Sequence, residues 1–292
     1  MSTLFNLVFS GLETGSIFAL ATLGIIIIFR TSRATNFAQG AIGMFNAFVA
    51  AHLLAAYDLP VWIAAIVGML SAFVTGVVID LAIIRRAAKV SIIGKQIITF
   101  GLILILFGIA PMMFGSVPIS FPRFIPTGAF EIAGARLTYN GLLNILLGVG
   151  IMGGLFYFLN HTKWGLAVRV TASNERAAKL MGVPTSLVTM GAWAIAAALG
   201  TLSALMVAPI GLGVTPNLME DVQVNALIAG VLGGFQTFHG PVIAAYIIAL
   251  SRNLINYYIS SVWGEAILYV LILLFIVVRP NGLIGKKMVK KV

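Results

Sequence analysis

The amino-acid sequence predicts an all-α, polytopic membrane helical bundle. Of the 292 residues, 60% are hydrophobic and only 9% are charged, and the mean hydropathy is +1.08. A soluble domain carries about 25% charged residues, so this chain has too few polar side chains to cover a surface in water. The apolar runs are long enough to span a bilayer as helices and lack the alternation of β-barrel strands.

The apolar segments follow one another along the chain and predict about eight transmembrane helices with one broken or re-entrant pair. They lie at about 4–29, 38–56, 60–84, 96–114, 140–160, 186–208, 222–236, 240–259 and 263–279. The pair around Gly233–Pro241 is short and interrupted, and it forms either a full hairpin or a re-entrant pair. We therefore expect one membrane domain over 1–292, with loops at 115–139 and 161–185.

The lysines and arginines orient this bundle, because cytoplasmic loops carry the excess of positive charge. With the N-terminus outside, the outer loops hold three of the 18 cations, Arg123, Arg136 and Arg252. The inner loops hold the other 15: Arg30, Arg33, Arg85, Arg86, Lys89, Lys95, Lys163, Arg169, Arg176, Lys179, Arg279, Lys286, Lys287, Lys290 and Lys291. The prediction is therefore a multi-pass protein of the lipid bilayer with a cytoplasmic C-terminus. Loop 115–139 is extracytoplasmic, with an ordered loop or a short strand pair.

Because the positive charges fall in loops, the net charge of +10 does not indicate a nucleic-acid partner. The cluster Lys286–Lys291 is interpreted as an anchor at the lipid surface.

A short polar helix is predicted inside the cytoplasmic loop 161–185. Asn174 is a good N-cap, and Glu175 and Lys179 are placed favourably for the helix dipole. Gly182 can take the left-handed closing position, and Pro184 prevents continuation. A self-contained charged helix in a membrane protein suggests that a soluble partner docks there.

The sequence offers little support for an enzyme. It has no cysteine, and its three histidines lie far apart, so no metal site is predicted. Gly94-Lys95 lacks the spacing of a phosphate-binding loop, so the chain does not itself hydrolyse a nucleotide. We expect no catalytic residue and no cofactor bound by this chain.

Polar residues within the apolar segments are the candidates for a translocation path. Glu13 stands inside the first segment, where a carboxylate is costly and usually faces a cavity or a partner. Asp80 lies near Arg85 and Arg86, and interfacial pairing explains it. The polar residues beside close-packing glycines complete the candidate set: Asn36, Gln39, Asn46, Gln236 and Thr237. Since an ion-coupled carrier needs more buried ionisable groups, the energy for transport is expected from elsewhere.

A faint internal similarity suggests an inverted repeat. The stretch Gly40–Phe48 resembles Gly230–Phe238 in its glycines and phenylalanines, and the two run in opposite directions in the proposed topology. Inverted repeats place the substrate path at their interface. A shared composition of membrane helices would explain the likeness equally well.

Several separated stretches together resemble the permease family of ATP-binding-cassette (ABC) importers for branched-chain amino acids and related small solutes. They run from about residue 11 to 241 and begin with Gly15-Ser-Ile-Phe-Ala-Leu-Ala-Thr-Leu-Gly and Thr35-Asn-Phe-Ala-Gln-Gly. The longest is Gly165-Leu-Ala-Val-Arg-Val-Thr-Ala-Ser-Asn-Glu-Arg-Ala-Ala-Lys-Leu-Met-Gly-Val. Ala208-Pro-Ile-Gly, Gly230-Val-Leu-Gly-Gly-Phe and Arg279-Pro-Asn-Gly-Leu complete the likeness. Their order and spacing are more specific than any one stretch.

The resemblance implies a role for the polar helix. Glu175, Ala177, Ala178 and Gly182 would form a diverged version of the coupling motif that sits in a cleft of the ATP-binding subunit. The expected interface with that subunit comprises Arg169, Asn174, Glu175, Arg176, Ala177, Ala178, Lys179 and Gly182.

The resemblance also implies the partners. These are two ATP-binding subunits carrying ATP-Mg, a second permease that makes a heterodimer or a homodimer, and an extracytoplasmic substrate-binding protein. The location implied is a bacterial or archaeal cytoplasmic (inner) membrane.

Two departures from the family pattern leave the solute open among branched-chain or other amino acids, urea, amides and aromatic acids. Gln39 replaces a usual histidine, and Glu220-Asp221 follow Met219 where glycine is usual. The expected function is a permease subunit that imports small amino acids or related small polar solutes by alternating access. The alternatives are an ion-coupled secondary transporter and a channel or non-transporting scaffold.

Overall fold

The computed structural model describes residues 2–88, 90–132 and 134–284. Its α-helices in chain order are α1 Ser2–Ser32, α2 Gln39–Tyr57, α3 Val61–Ile79, α4 Ile92–Phe114, α5 Tyr139–His161, α6 Lys163–Ser173, α7 Glu175–Leu180, α8 Thr185–Val207, α9 Glu220–Gly233, α10 His239–Tyr258 and α11 Gly264–Val278. A π-helix at Asp80–Ile84 continues α3, and 3-10 turns at Ala208–Ile210 and Pro216–Met219 precede α9. The strands β1 Ala129–Ile132 and β2 Ala135–Thr138 pair antiparallel. Lys89 and the anchor predicted at Lys286–Lys291 lie outside the described residues.

Each predicted apolar segment corresponds to one helix, which confirms the all-α membrane bundle. Six of the helical segments in the described residues are long and apolar enough to cross a bilayer, including the 31-residue α1 and the 23-residue α4 and α5. The apolar helix α11 is shorter, at 15 residues. The loop predicted at 161–185 contains α6 and α7, and the loop predicted at 115–139 contains the strand pair.

Helix α1 is the central helix of the bundle. Every residue from Gly15 to Ile28 is buried, and the helix packs against α5, α8, α9 and α10. Lipid would accept an apolar helix equally well, so the burial of α1 reflects its packing against these four helices. The peripheral helices instead expose large apolar side chains, such as Leu70 on α3 and Leu104 on α4, which are 61% and 76% exposed. These faces suit contact with lipid.

Glycines allow the backbones of α2 and α3 to contact the backbone of α8. A Cβ atom on Gly43 would lie 2.6 Å from the carbonyl oxygen of Gly200, and one on Gly76 would overlap the carbonyl of Trp193. Without a hydrophobic driving force between helices in lipid, such close packing supplies much of the association energy.

Two helices, α2 and α9, contact α1 partway along its length. Gln39, at the start of α2, packs against Gly24 of α1, eight residues before α1 ends. On α9, Ala226 accepts a hydrogen bond from Thr22 at mid-length of α1 (3.3 Å). The two helix starts meet where the amide of Gly40 donates to Oε1 of Gln223 at 2.5 Å. Helix α2 then runs antiparallel to α1 and α9 runs parallel to it.

The segment after α9 returns the chain at the same end of the bundle where α1 finishes. Phe235 stacks near Phe29 with ring centroids 4.6 Å apart, and Arg30 donates to the carbonyl of Gln236. The α9–α10 pair is therefore a hairpin with a shortened first helix.

The two stretches of the suspected repeat do not share a backbone structure. Gly40–Phe48 is continuous helix, whereas Gly230–Phe238 breaks at Gly234, which has φ +89°. The break occurs because Gly233 packs directly on the backbone of Gly240 and Pro241.

Candidate functional site

The segment α6–α7 is built by short-range capping. The side chain of Thr162 accepts from the amide of Gly165 at 3.1 Å and starts α6 directly after α5. Asn174 adopts extended backbone between α6 and α7, and its Oδ1 accepts from the amide of Ala177 at 3.1 Å. The predicted N-cap of the polar helix is confirmed.

The end of α7 is a Schellman motif. The amide of Val183 donates to the carbonyl of Ala178 (3.0 Å), and the amide of Gly182 donates to that of Lys179 (3.1 Å). Gly182 has φ +80°, a region that costs any other L-residue except asparagine, so the predicted closing role of this glycine is confirmed. The helix thus satisfies its own ends within six residues.

The surface of α7 combines charge with exposed apolar side chains. Glu175 and Lys179 form an exposed ion pair at 2.6 Å. Ala178 is fully buried and holds the helix against the bundle, while Leu180 and Met181 are 90% and 66% exposed. Leu180 and Met181 were not among the predicted interface residues, although two adjacent apolar residues on a polar loop helix are a signal for a docking surface.

The other predicted interface residues lie around this helix. Arg176 and Ala177 stand on α7 itself, with Arg176 exposed. Arg169 donates to Oδ1 of Asn160 at 3.2 Å, so it bridges the corner between α5 and α6. It is therefore placed one helix away from α7.

A cleft of about 340 Å³ separates α7 from the ends of α1, α3, α4 and α8. Glu175 and Lys179 line its outer side, and Asp80, Arg85 and Lys95 line its inner side. Asp80 is 2% exposed and pairs with Arg85 at 3.4 Å, as its position in the sequence predicted.

The predicted path residues Asn36 and Gln39 lie together at the start of α2. Both are buried, and the side chain of Asn36 donates to Oε1 of Gln39 at 3.2 Å. Gln39 in turn donates to the carbonyl of Ala196 on α8 at 2.6 Å. Gln223, which the sequence analysis missed, joins this group through Gly40, and its Nε2 is buried without a partner among the described residues. A glutamine inside the apolar segment 222–236 was the signal available for it.

The remaining path candidates are dispersed. Asn46 accepts from Ser71 and Thr75 at 2.9 and 3.1 Å and ties α2 to α3. Glu13 accepts from Nδ2 of Asn144 at 2.7 Å and ties α1 to α5.

Gln236 and Thr237 lie in the α9–α10 loop beside Arg30, where Oγ1 of Thr237 accepts from the amide of Gly240 at 3.2 Å. The structure thus brings Asn36 and Gln39 together and leaves the other four elsewhere.

Glu220 and Asp221, at the start of α9, belong to an acidic cluster. From the sequence they were predicted only as a departure from the family pattern. Arg252 of α10 pairs with Asp221 at 2.6 Å and also with Glu265 of α11. Glu220, Asp221 and Glu265 are all exposed. The pairing partners are far apart in sequence, so no local pattern could reveal the network that joins α9, α10 and α11.

Comparison with known proteins gives one consistent family. Residues 7–277 match the family model described as the permease component of a branched-chain amino acid transport system. The chain is 24% identical over 296 residues to the "High-affinity branched-chain amino acid transport system permease protein LivH" of Escherichia coli strain K12, covering 97% of this chain and 96% of that protein. It is 25% identical over 285 residues to a protein of Methanocaldococcus jannaschii named "Probable branched-chain amino acid transport permease protein LivH", covering 92% and 89%.

A partial likeness extends to a sugar transporter. The "Fructose import permease protein FrcC" of Rhizobium meliloti is 29% identical over 112 residues, which cover 38% of this chain and 30% of that protein. No solved structure matches the chain.

Proposed function

Because this chain belongs to the family of permease components of branched-chain amino acid transport systems, we propose that it imports branched-chain or other small amino acids, or related small polar solutes. It is the membrane-spanning permease subunit of an ABC importer. The observation that carries the proposal is α7, a helix with its own caps and two exposed apolar side chains that projects from an apolar bundle.

The partners of this permease follow from that surface and from the family. Two ATP-binding subunits carry ATP-Mg, and α7 of each permease docks in a cleft of one of them through Arg176, Leu180 and Met181. Ala178 faces the bundle and keeps α7 seated on it. A second homologous permease, identical or different, completes the pathway, and an extracytoplasmic binding protein delivers the solute.

The orientation that fits these partners places α7 in the cytoplasm and the N-terminus outside. The cations Arg30, Arg33, Arg85 and Lys95 lie at the same end of the bundle as α7, which supports that orientation by the positive-inside rule. The strand pair β1–β2 lies at the other end, beside Asn6, and would face the binding protein.

The mechanism is alternating access between two arrangements of the bundle. ATP-driven closure of the ATP-binding subunits displaces α7 and favours an outward-open arrangement, and hydrolysis restores the inward-open one. The binding protein supplies selectivity, so the permease needs only a polar passage. The side chains that supply this passage, where α2 and α9 begin, are Asn36, Gln39 and Gln223, because amide groups offer hydrogen bonds to a polar solute in transit.

Reconstitution tests the proposal. The chain is co-expressed with candidate ATP-binding and binding-protein partners, purified, and placed in proteoliposomes for uptake of radiolabelled leucine, alanine, urea and fructose. Co-purification of ATP-binding subunits and ATP-dependent, vanadate-sensitive uptake are expected. Uptake by the chain alone that is collapsed by an ionophore would establish an ion-coupled carrier instead, and non-saturable flux would establish a channel.

A further inference from the structure

Arg33 links the end of α1 to the segment that carries α7. Its guanidinium donates to the carbonyl oxygens of Ser173 (2.8 Å) and Ala172 (3.3 Å), the last two residues of α6. Carbonyls in the last turn of a helix have no partner within the helix and lie at the negative end of its dipole. A charged donor at this position therefore holds the end of α6, and Asn174 and α7 follow directly.

The backbone of Arg33 is specialised for this contact. Its φ is +54°, a left-handed conformation that is unfavourable for a residue with a side chain. Its amide still donates to the carbonyl of Phe29 at 2.7 Å, so the reversal of the chain occurs at Arg33 itself. Such a conformation persists where surrounding contacts require it, and the two carbonyls of α6 are the contacts observed.

On its other side, Arg33 opens the short linker that leads to α2. Within this linker the amide of Phe37 donates to Oγ1 of Thr99 on α4, and the amide of Ala38 donates to Oδ1 of Asn36. The linker ends at Gln39, which is bonded to α8. Because the linker has only six residues and is bonded to α6 at its start and to α4 near its end, a displacement of Arg33 is expected to shift the start of α2.

A neighbouring cavity leaves room for that displacement. A space of about 490 Å³ lies between Arg30, Arg33, Ile92 and Phe235 and reaches the end of α6. Arg30 is held separately, over the ring of Phe238 at 4.7 Å, and belongs to the α9–α10 loop. The end of α6 can therefore move relative to that loop while it carries Arg33 with it.

We propose that Arg33 is a positioning residue that transmits the displacement of α7 to the start of α2, and so couples ATP hydrolysis to movement of the solute. This inference rests on the proposed function. In this proposal Arg33 acts through its contact with α6 and through the linker to α2, and not by contact with ATP or solute. Its loss uncouples the two processes and leaves each partner bound.

The first experiment measures uptake and ATP hydrolysis in the same proteoliposomes, with the permease, its ATP-binding subunits and the binding protein. Wild-type complex must show ATP-dependent uptake, since failure there would count against the proposed function itself. Arg33→Gln is expected to lower uptake about tenfold at saturating solute while hydrolysis continues, which raises the ATP consumed per solute. Arg86→Gln removes the same charge from an exposed site at the same end of the bundle and should leave the ratio unchanged.

Two results would overturn the inference. One is an unchanged ratio of ATP to solute in Arg33→Gln. The other is loss of ATP-binding subunits from that variant, because Arg33 would then support assembly rather than coupling.

A rescue experiment separates coupling from stability. The natural chain has no cysteine, so Arg33→Cys with Ser173→Cys provides a unique thiol pair. A bifunctional methanethiosulfonate reagent about as long as an arginine side chain replaces the lost link, and reduction removes it. Uptake should be restored on cross-linking and lost again on reduction, with hydrolysis changing little. Cross-linked complex that stays uncoupled would show that the contact between Arg33 and α6 does not transmit motion.

Discussion

The closing glycine of α7 gives the sharpest test of the docking helix. Gly182 has φ +80°, and nothing lies within 4 Å of a Cβ atom built on it, so a substitution there strains the backbone without a clash. Placing an ordinary L-residue in this conformation costs about 1–2 kcal/mol. Because 1.4 kcal/mol is a factor of ten, the equilibrium ratio of correctly closed to open α7 falls about 5–30-fold.

The assay compares ATP-dependent uptake by Gly182→Leu, Gly182→Ala and Gly182→Asn in proteoliposomes. Asparagine tolerates the left-handed region, so Gly182→Asn should retain most of the uptake while the other two lose it to a similar extent. Gly153→Leu on α5 is the matched control, since that glycine also has open space around it but no positive φ. Normal uptake in Gly182→Leu, or equal loss in Gly182→Asn, would refute the reasoning.

Three further substitutions test other parts of the molecule. Glu175→Arg removes an ion pair whose side chains are 52% and 59% exposed, so the stability of the protein should change by less than about 1 kcal/mol. ATP-dependent uptake should nevertheless be abolished. Normal uptake would show that α7 only connects α6 to α8. Gly43→Leu forces α2 away from the carbonyl of Gly200 and should destabilise the bundle by about 1–3 kcal/mol, measured as a lower temperature of thermal aggregation. Gly101→Leu is the control and should leave that temperature unchanged, because the space around Gly101 is open. Arg252→Gln leaves Asp221 and Glu265 without their shared cation and should lower thermal stability by about 1 kcal/mol, and an unchanged midpoint would show that solvent already screens the network.

The features that depend on neighbouring residues were predictable from the sequence. Apolar runs located each helix because lipid requires them, and Asn174 and Gly182 located the ends of α7 because capping is a contact over three to five residues. Asp80 and Arg85 could be paired because they stand five residues apart at the end of the same apolar segment.

Contacts between distant segments were not predictable in the same way. Arg33 meets Ser173 and Gly40 meets Gln223 only because the bundle folds α1, α2, α6 and α9 together. The sequence marked Gln39 as polar but gave no indication that its partner is a carbonyl of α8. The inverted repeat suggested by Gly40 and Gly230 stays a prediction, since glycine serves close helix packing in the first stretch and leads into a break in the second.

The hydrogen bond between Gly40 and Gln223 restrains the movement of α2 relative to α9. The two helices that it joins run in opposite directions, so one cannot slide along the other without separating amide from acceptor in surroundings that offer little water. An unpaired amide there costs about 1–3 kcal/mol, which lowers the population of the separated arrangement about 5–160-fold relative to the paired one. Any movement of α2 and α9 along each other must therefore first break this junction, which favours the arrangement in which the two helices begin side by side.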